Sequence, residues 1–288
     1  DYSRGRKEAH KGFEYLVTVG GACNLPRIHL SESANGLEQC LVMCFNIGAN
    51  QWLAAASHNG VALGLWNLTT LFGEPKELRK QVGFLNVTIP TGDVNGVNGN
   101  RKVTLISTES STYVFDPTNP TATPRRLSTS LVTSGGDAMR SYLAQFTYWS
   151  TVPHGPIMEA WQSQVFYAGF RPGDGAALLS PIESNQNSVP EDILTQNRAG
   201  FVLQPWMLVW SDTSRPADVS AVHILQMEDR RPITGLKVLG ENLYVFTSAN
   251  IYALISSGNE ESAYANAYLV RRVVSGIGCV APRSIVEN

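Results

Sequence analysis

The sequence predicts an all-β fold, a β-propeller-like array of antiparallel three- to four-stranded blades with loop insertions. Short runs of β-branched and aromatic residues are bounded by Gly, Asn, Asp and Pro, which is the pattern of strands joined by tight turns. These runs form groups that recur every roughly 45–60 residues, close to the length of a propeller blade. No helical period of about 3.6 residues persists over a long window, so long helices are excluded.

The predicted strands fall into four groups along the chain. They cover residues 40–45, 52–57 and 61–66; 83–89, 102–107 and 112–115; 142–149, 161–169 and 206–210; and 233–239, 243–247 and 251–255. Asn59-Gly60 supplies the positive φ angles of a hairpin turn in the first group. Residues 268–274 are interpreted as the beginning of another excursion rather than as a strand of the fourth group.

Residues 1–39 are expected to lead into the first blade, and residues 40–288 to form the propeller-like domain, with an insertion around 171–205. The insertion is predicted to hold a short helix around 190–196, because Pro190 suits a first helical turn and acidic residues follow it. A β-sandwich is the structural alternative, and it would space its strands evenly without grouping them.

The chain is poor in charge. Charged residues make up 16% of the 288 residues, and the formal net charge is −2. This balance excludes a disordered tail or a coiled coil, and it lacks the basic excess of proteins that bind nucleic acid through phosphates. No apolar window is long enough to span a membrane, so no membrane insertion is predicted. Low charge also predicts that much of the surface is buried against other subunits.

No catalytic pattern emerges from the residues that usually carry chemistry. The histidines lack metal-ligand spacing, and the nucleophile elbow, the P-loop and the dinucleotide fingerprint are missing from the sequence. On an extended strand Cys40 and Cys44 would lie about 13 Å apart, too far for a disulfide, and are interpreted as reduced, half-buried thiols. No catalytic residue, metal or cofactor is therefore predicted. The arginine pairs 125–126, 230–231 and 271–272 are interpreted as solvated turns or inter-subunit salt bridges, with phosphate contact as the alternative.

Aromatic residues gather in the third group. Two interpretations remain open for Trp149, Trp161, Trp206 and Trp210: a platform for a ligand such as a sugar, or a core or subunit contact. The platform interpretation predicts that Trp161 or Trp206 is exposed in a pocket.

One stretch carries a recognisable series of strands and turns: a Leu-Tyr-Val-Phe strand, a short turn, an Ile-Tyr-x-Leu strand and a later Gly-Cys-x-Ala-Pro-x-Ser segment. The matching positions are Leu243, Tyr244, Val245, Phe246, Ile251, Tyr252, Leu254, Gly278, Cys279, Pro282 and Ser284. With these motifs, residues 210–286 resemble the propeller region of tailed-bacteriophage tail-hub proteins, including the nozzle or tail tubular proteins of short-tailed phages. Residues 148–170 are similar to the segment that precedes the motifs in that family.

The resemblance implies a structural, non-enzymatic virion protein. Such a protein would be a ring-forming subunit of the tail nozzle or hub, usually hexameric, assembled in the host cytoplasm, and it would conduct DNA during ejection. The implied partners are identical copies, adaptor or portal-side proteins, fibre proteins and non-specifically passing DNA. The family carries further strands after Ser284, so the last blade is expected to be incomplete. The alternative function is a β-propeller binding module that recognises a glycan or protein ligand.

Overall fold

The computed structural model describes ten parts of the chain: residues 23–57, 61–76, 82–89, 101–108, 110–127, 152, 154–171, 203–219, 223–256 and 268–279. These residues form four antiparallel sheets of four strands each, and a single short helix. The chain divides into two compact units, Asp1–Thr88 with Gly99–Arg126, and Ile89–Asn98 with Leu127–Asn288. No helix in the described part of the chain is long and apolar enough to cross a bilayer.

Unit 1 contains two sheets, in each of which neighbouring strands are consecutive along the chain. The first comprises β1 (Cys23–Glu32), β2 (Gln39–Ile47), β3 (Asn50–Ser57) and β4 (Ala62–Asn67), and the second comprises β5 (Gly83–Ile89), β6 (Arg101–Ser107), β7 (Thr112–Phe115) and β8 (Arg125–Arg126). Helix α1 (Leu68–Phe72) follows β4. Its first turn is capped by the Asn67 side chain, which accepts a hydrogen bond from Thr70 N, and it ends at Gly73, whose φ is +68°.

The core of unit 1 follows from the period-two alternation of its strands. Val42, Cys44 and Leu53 from the first sheet share one hydrophobic cluster with Ile106 and Phe115 from the second. Polar side chains join the same two sheets beside this core. Thr104 Oγ1 donates to Ser31 Oγ at 2.6 Å, and His29 Nε2 lies 3.0 Å from Asn86 Oδ1.

Unit 2 repeats the arrangement of two sheets. The first comprises β9 (Ile157–Trp161), β10 (Gln164–Ala168), β11 (Met207–Trp210) and β12 (Ile224–Gln226), and the second comprises β13 (Ile233–Leu239), β14 (Asn242–Thr247), β15 (Ile251–Ser256) and β16 (Tyr268–Val274). One continuous hydrophobic cluster contains Phe166 and Trp210 from the first sheet and Leu243, Tyr252 and Leu254 from the second. The two sheets therefore share a core.

The predicted all-β fold with blade-like antiparallel sheets is confirmed, and three features differ from the sequence prediction. Residues 268–274 form the fourth strand of their sheet instead of an excursion, because they pair with β15 from Ser256 to Ile251. The strand predicted at 161–169 contains a hairpin turn at Gln162 and Ser163, which separates β9 from β10. Strands β1, β8 and β12 were not predicted, and of β9 only Trp161 was. The strand predicted at 142–149 and the helix predicted at 190–196 lie outside the described residues.

Candidate functional site

The motif strands of the C-terminal sheet lie side by side as β14 and β15, with Val245 paired to Tyr252 and Leu243 paired to Leu254. These four side chains point to one face and are fully buried. Tyr244, Phe246 and Ile251 occupy the opposite face and are half-buried. The strand motifs of the sequence thus correspond to the alternation of β14 and β15, and four of their seven side chains lie in the core.

A side-chain turn joins these two strands. Thr247 N donates to Asn250 O at 2.9 Å, and Thr247 Oγ1 accepts from Asn250 N at 2.9 Å and from Ala249 N at 3.2 Å. A threonine hydroxyl that satisfies the backbone of the turn in this way fixes its shape. The turn consequently presents its Thr247 and Asn250 side chains in one defined arrangement.

The carboxylate of Asp229 binds to this turn. Its Oδ2 accepts from Thr247 Oγ1 at 2.8 Å and from Asn250 Nδ2 at 2.6 Å, and its Oδ1 accepts from Arg231 N at 3.1 Å. Burial alone would raise the pKa of Asp229, but the hydrogen bonds from Arg231, Asn250 and Thr247 outweigh it and hold the pKa below its usual value. The hydrogen bonds therefore favour the ionised carboxylate of Asp229, which ties residue 229 to the turn between β14 and β15.

The segment 275–279 closes over the same turn. Gly276 N donates to Asn250 Oδ1 at 3.0 Å, Cys279 N donates to Thr247 O at 2.9 Å, and Thr234 Oγ1 donates to Cys279 O. Gly278 passes so close to the turn that a Cβ there would lie 2.3 Å from Ala249 N. Only glycine fits this approach, which gives a physical reason for the Gly-Cys motif. Pro282 and Ser284, the remaining motif residues, lie outside the described residues.

The tryptophans of the third group meet in the core of unit 2. Trp161 and Trp210 are 7% and 1% exposed, and Phe166 lies between them with ring centroids 5.8 and 5.9 Å away. Tyr268 from β16 packs against all three rings. Trp206 is half-buried and packs against the same cluster, whereas Trp149 lies outside the described residues. The structure thus uses Trp161 and Trp210 as core aromatics rather than as an exposed platform.

A buried histidine that the sequence did not single out lies against this cluster. His223 stacks on Trp210 with ring centroids 5.3 Å apart, and its Nδ1 lies 3.4 Å from Asp212 Oδ1. Burial lowers the pKa of His223 to about 4, so the ring is neutral at physiological pH. No residue pattern marks this position, because the stacking partner lies on a neighbouring strand.

The described residues include potential metal ligands and cysteine thiols. No three His, Cys, Asp or Glu side chains among them stand close enough to hold a metal ion. Cys40 and Cys44 are buried, and neither forms a disulfide within the described parts of the chain.

Comparison with protein-family models and with curated proteins gives no match. The geometry of the site is that of a sheet, its turn and its closing segment held together by hydrogen bonds.

Proposed function

We propose that this chain is a structural virion protein, a ring-forming subunit of a phage tail nozzle or hub that conducts DNA during ejection. One observation carries the proposal: the residues that resemble the nozzle family serve to shape a sheet and to seat its closing segment. Leu243, Val245, Tyr252 and Leu254 fill the core, and Gly278 permits the close approach to the turn. Residues with such roles favour a scaffold over a catalytic function.

The surface of unit 2 supports a subunit that assembles with copies of itself. Leu269 and Val273 on β16 are 61% and 50% exposed, and Ile277 in the closing segment is 67% exposed. Large apolar side chains exposed close together in one sequence segment are typical of protein contacts. A closed ring needs heterologous contacts between neighbouring copies, and apolar side chains of this kind suit such contacts.

The net charge of the chain is compatible with a channel through which DNA slides without being bound. Each phosphate that a cation captures strengthens binding through counterion release, so a channel that must let DNA slide is best without a basic excess. The net charge of −2 meets that requirement. In this proposal the ring is a hexamer in the virion tail, it contacts adaptor or portal-side and fibre proteins, and it assembles in the host cytoplasm.

Native mass spectrometry and negative-stain electron microscopy of the purified chain test the proposal. We expect closed rings that grow in population with protein concentration. The double variant Leu269→Glu with Val273→Glu should shift the population to monomers. Leu71→Glu is the matched control, because Leu71 is also 50% exposed but lies on α1 in unit 1. A chain that stays monomeric at every concentration, or rings that tolerate the double variant as well as the control, would contradict the proposal.

The binding-module alternative gains no support from the aromatic residues that suggested it. A sugar platform requires exposed rings, and Trp161 and Trp210 are buried within the core of unit 2. Trp161 Nε1 also donates to Glu241 O at 3.2 Å, so the polar edge of this ring is already occupied. The geometry therefore favours the scaffold proposal.

A further inference from the structure

Unit 1 contains a fully buried carboxylate held by a single hairpin. Glu74 follows α1 on the linker that leads from the first sheet to β5, and it is 0% exposed. Its Oε1 accepts from Thr108 Oγ1 at 2.6 Å and from Ser110 N at 2.9 Å. Its Oε2 accepts from Tyr113 OH at 2.7 Å and from Ser110 Oγ at 2.9 Å. Four donors offset the desolvation of the carboxylate, and all four belong to the hairpin of β6 and β7: three to its turn and one, Tyr113, to β7 itself.

Asp229 occupies the equivalent place in unit 2. It lies on the linker that leads from β12 to β13, and its carboxylate accepts from Thr247 and Asn250 in the turn between β14 and β15. Tyr252 adjoins this group, because its hydroxyl accepts from Asn250 Nδ2 at 3.5 Å. Burial raises the pKa of Tyr252, and the neighbouring charge of Asp229 raises it further. In unit 1 the pKa of Tyr113 is raised by burial and then by the charge of Glu74.

The two hairpins agree in register as well as in composition. In each, four residues separate the threonine from the tyrosine, Thr108 from Tyr113 and Thr247 from Tyr252. Tyr113 pairs with Ile106 on the preceding strand, and Tyr252 pairs with Val245, two positions before the respective threonine. Two unrelated sites that each hold an acid would not need the same strand register. The matching register therefore indicates that the two hairpins form the same structural motif.

The backbone of the two turns agrees too. Thr108 N donates to Ser111 O at 2.8 Å, as Thr247 N donates to Asn250 O at 2.9 Å. In the fourth strand of each sheet an arginine lies directly opposite the tyrosine: Arg126 opposite Tyr113, and Arg272 opposite Tyr252. The correspondence therefore extends from the linker across three strands of each sheet.

We propose that the chain builds the same structural device twice, a carboxylate latch in which an acid on the inter-sheet linker accepts hydrogen bonds from the next sheet's central hairpin, whose threonine and tyrosine stand at matching positions. The latches are Glu74 with Thr108, Ser110 and Tyr113, and Asp229 with Thr247 and Asn250, beside Tyr252. Each latch fixes the point at which the linker docks. The inference is independent of the proposed virion role.

Hydrogen exchange of the full chain, read by mass spectrometry, tests the proposal. Thr108→Val removes one donor to Glu74 at nearly constant volume, and we expect the amides of residues 105–113 to exchange roughly ten- to a hundredfold faster. The peptide 243–254 should keep its rate. Thr247→Val should give the reciprocal pattern. Thr108→Ser and Thr247→Ser restore the hydroxyl and should restore slow exchange.

A matched control and a milder variant complete the test. Tyr244→Phe removes a tyrosine hydroxyl from the opposite face of the same sheet and should leave both hairpins unchanged. Should Thr108→Val fail to fold, Tyr113→Phe deletes another donor to Glu74 while keeping the buried ring. Local acceleration confined to the altered latch supports the proposal. Acceleration shared equally by both hairpins, no acceleration, or valine and serine variants that behave alike would overturn it.

Discussion

Replacing Gly278 with alanine perturbs the closing segment 275–279 at its tightest contact. The added Cβ would lie 2.3 Å from Ala249 N, 2.3 Å from Ser248 C and 2.4 Å from Thr247 O, all of them backbone atoms that cannot rotate away. Ordinary van der Waals contact begins at 3.4 Å. The segment must therefore retreat from the turn by about 1 Å.

The magnitude follows from the contacts that this retreat removes. Cys279 N to Thr247 O, now 2.9 Å, would exceed hydrogen-bonding distance, and the bond from Thr234 Oγ1 to Cys279 O would weaken with it. Each bond contributes about 1 kcal/mol net. The segment can also undock completely. The decrease in the free energy of unfolding therefore cannot exceed the free energy that docking of the segment contributes. We expect the free energy of unfolding to fall by about 2–3 kcal/mol.

Urea denaturation measures the loss, and the reactivity of the Cys279 thiol reports undocking directly. Subtracting the rate of Cys279→Ser isolates the contribution of this thiol from those of the other cysteines. Gly276→Ala is the comparison: its φ is +75° with nothing within 4 Å, so it adds backbone strain of about 1 kcal/mol and no clash. A Gly278→Ala variant of wild-type stability and wild-type thiol reactivity would refute the docking argument.

Three further predictions concern buried rings. Burial lowers the pKa of His223 from 6.5 to about 4, so the unfolded state binds the proton first as the pH falls. The free energy of unfolding should therefore decrease between about pH 6.5 and about pH 4, by up to about 3 kcal/mol. The His223→Phe variant should not show this decrease in urea titrations. Gly64→Ala places a Cβ 2.1 Å from the buried Trp66 ring and should lower the free energy of unfolding by about 1–3 kcal/mol, with altered tryptophan fluorescence. Trp161→Ala should lower it by about 3–5 kcal/mol in thermal melts.

Each of these expectations has a contrary result. An unchanged pH profile in His223→Phe would show that another group carries the acid sensitivity. Wild-type stability in Gly64→Ala would show that the Trp66 ring moves freely, despite its edge contact with Phe115 at 6.3 Å. A stable Trp161→Ala variant that loses binding on a glycan array would favour the binding-module function over the scaffold.

All inner strands of the described sheets were predicted, and so were the outer strands β4, β5 and β13, whereas the outer strands β1, β8, β12 and β16 were not. The predicted strands carry the apolar runs from which strands are recognised. Two of the missed outer strands carry charged residues instead: β8 consists of Arg125–Arg126, and β16 contains Arg271 and Arg272. β12 has only three residues, too few for a pattern.

The hairpin between β9 and β10 shows a second limit. Its turn residues, Gln162 and Ser163, have φ angles of +50° and +59°, a conformation that sequence usually signals with Gly or Asn. Without that signal, the strand predicted at 161–169 ran through the turn, and β9 before Trp161 was missed. The tertiary structure, which pairs Gln164 with Trp161, imposes the turn against local preference.

The sequence predicted the strands of the candidate site, but it did not predict the carboxylates that hydrogen-bond to the hairpins. The motif residues of β14 and β15 alternate as the sequence indicates. The sequence did not single out Glu74 and Asp229 as anchors, because their threonine partners lie 34 and 18 residues further along the chain. The repeated threonine and tyrosine, with four residues between them in Thr108–Tyr113 and in Thr247–Tyr252, were the available signal.

The paired arginines on the outer strands have a consequence for crowded assemblies. Among the described residues β8 and β16 are the outer strands of their sheets, and an outer strand with unpaired backbone groups is a template on which another chain can add. Two copies that met edge to edge there would bring Arg125–Arg126, or Arg271 and Arg272, against their own images. The resulting repulsion would oppose fibre-like aggregation even when many molecules are held at high local density.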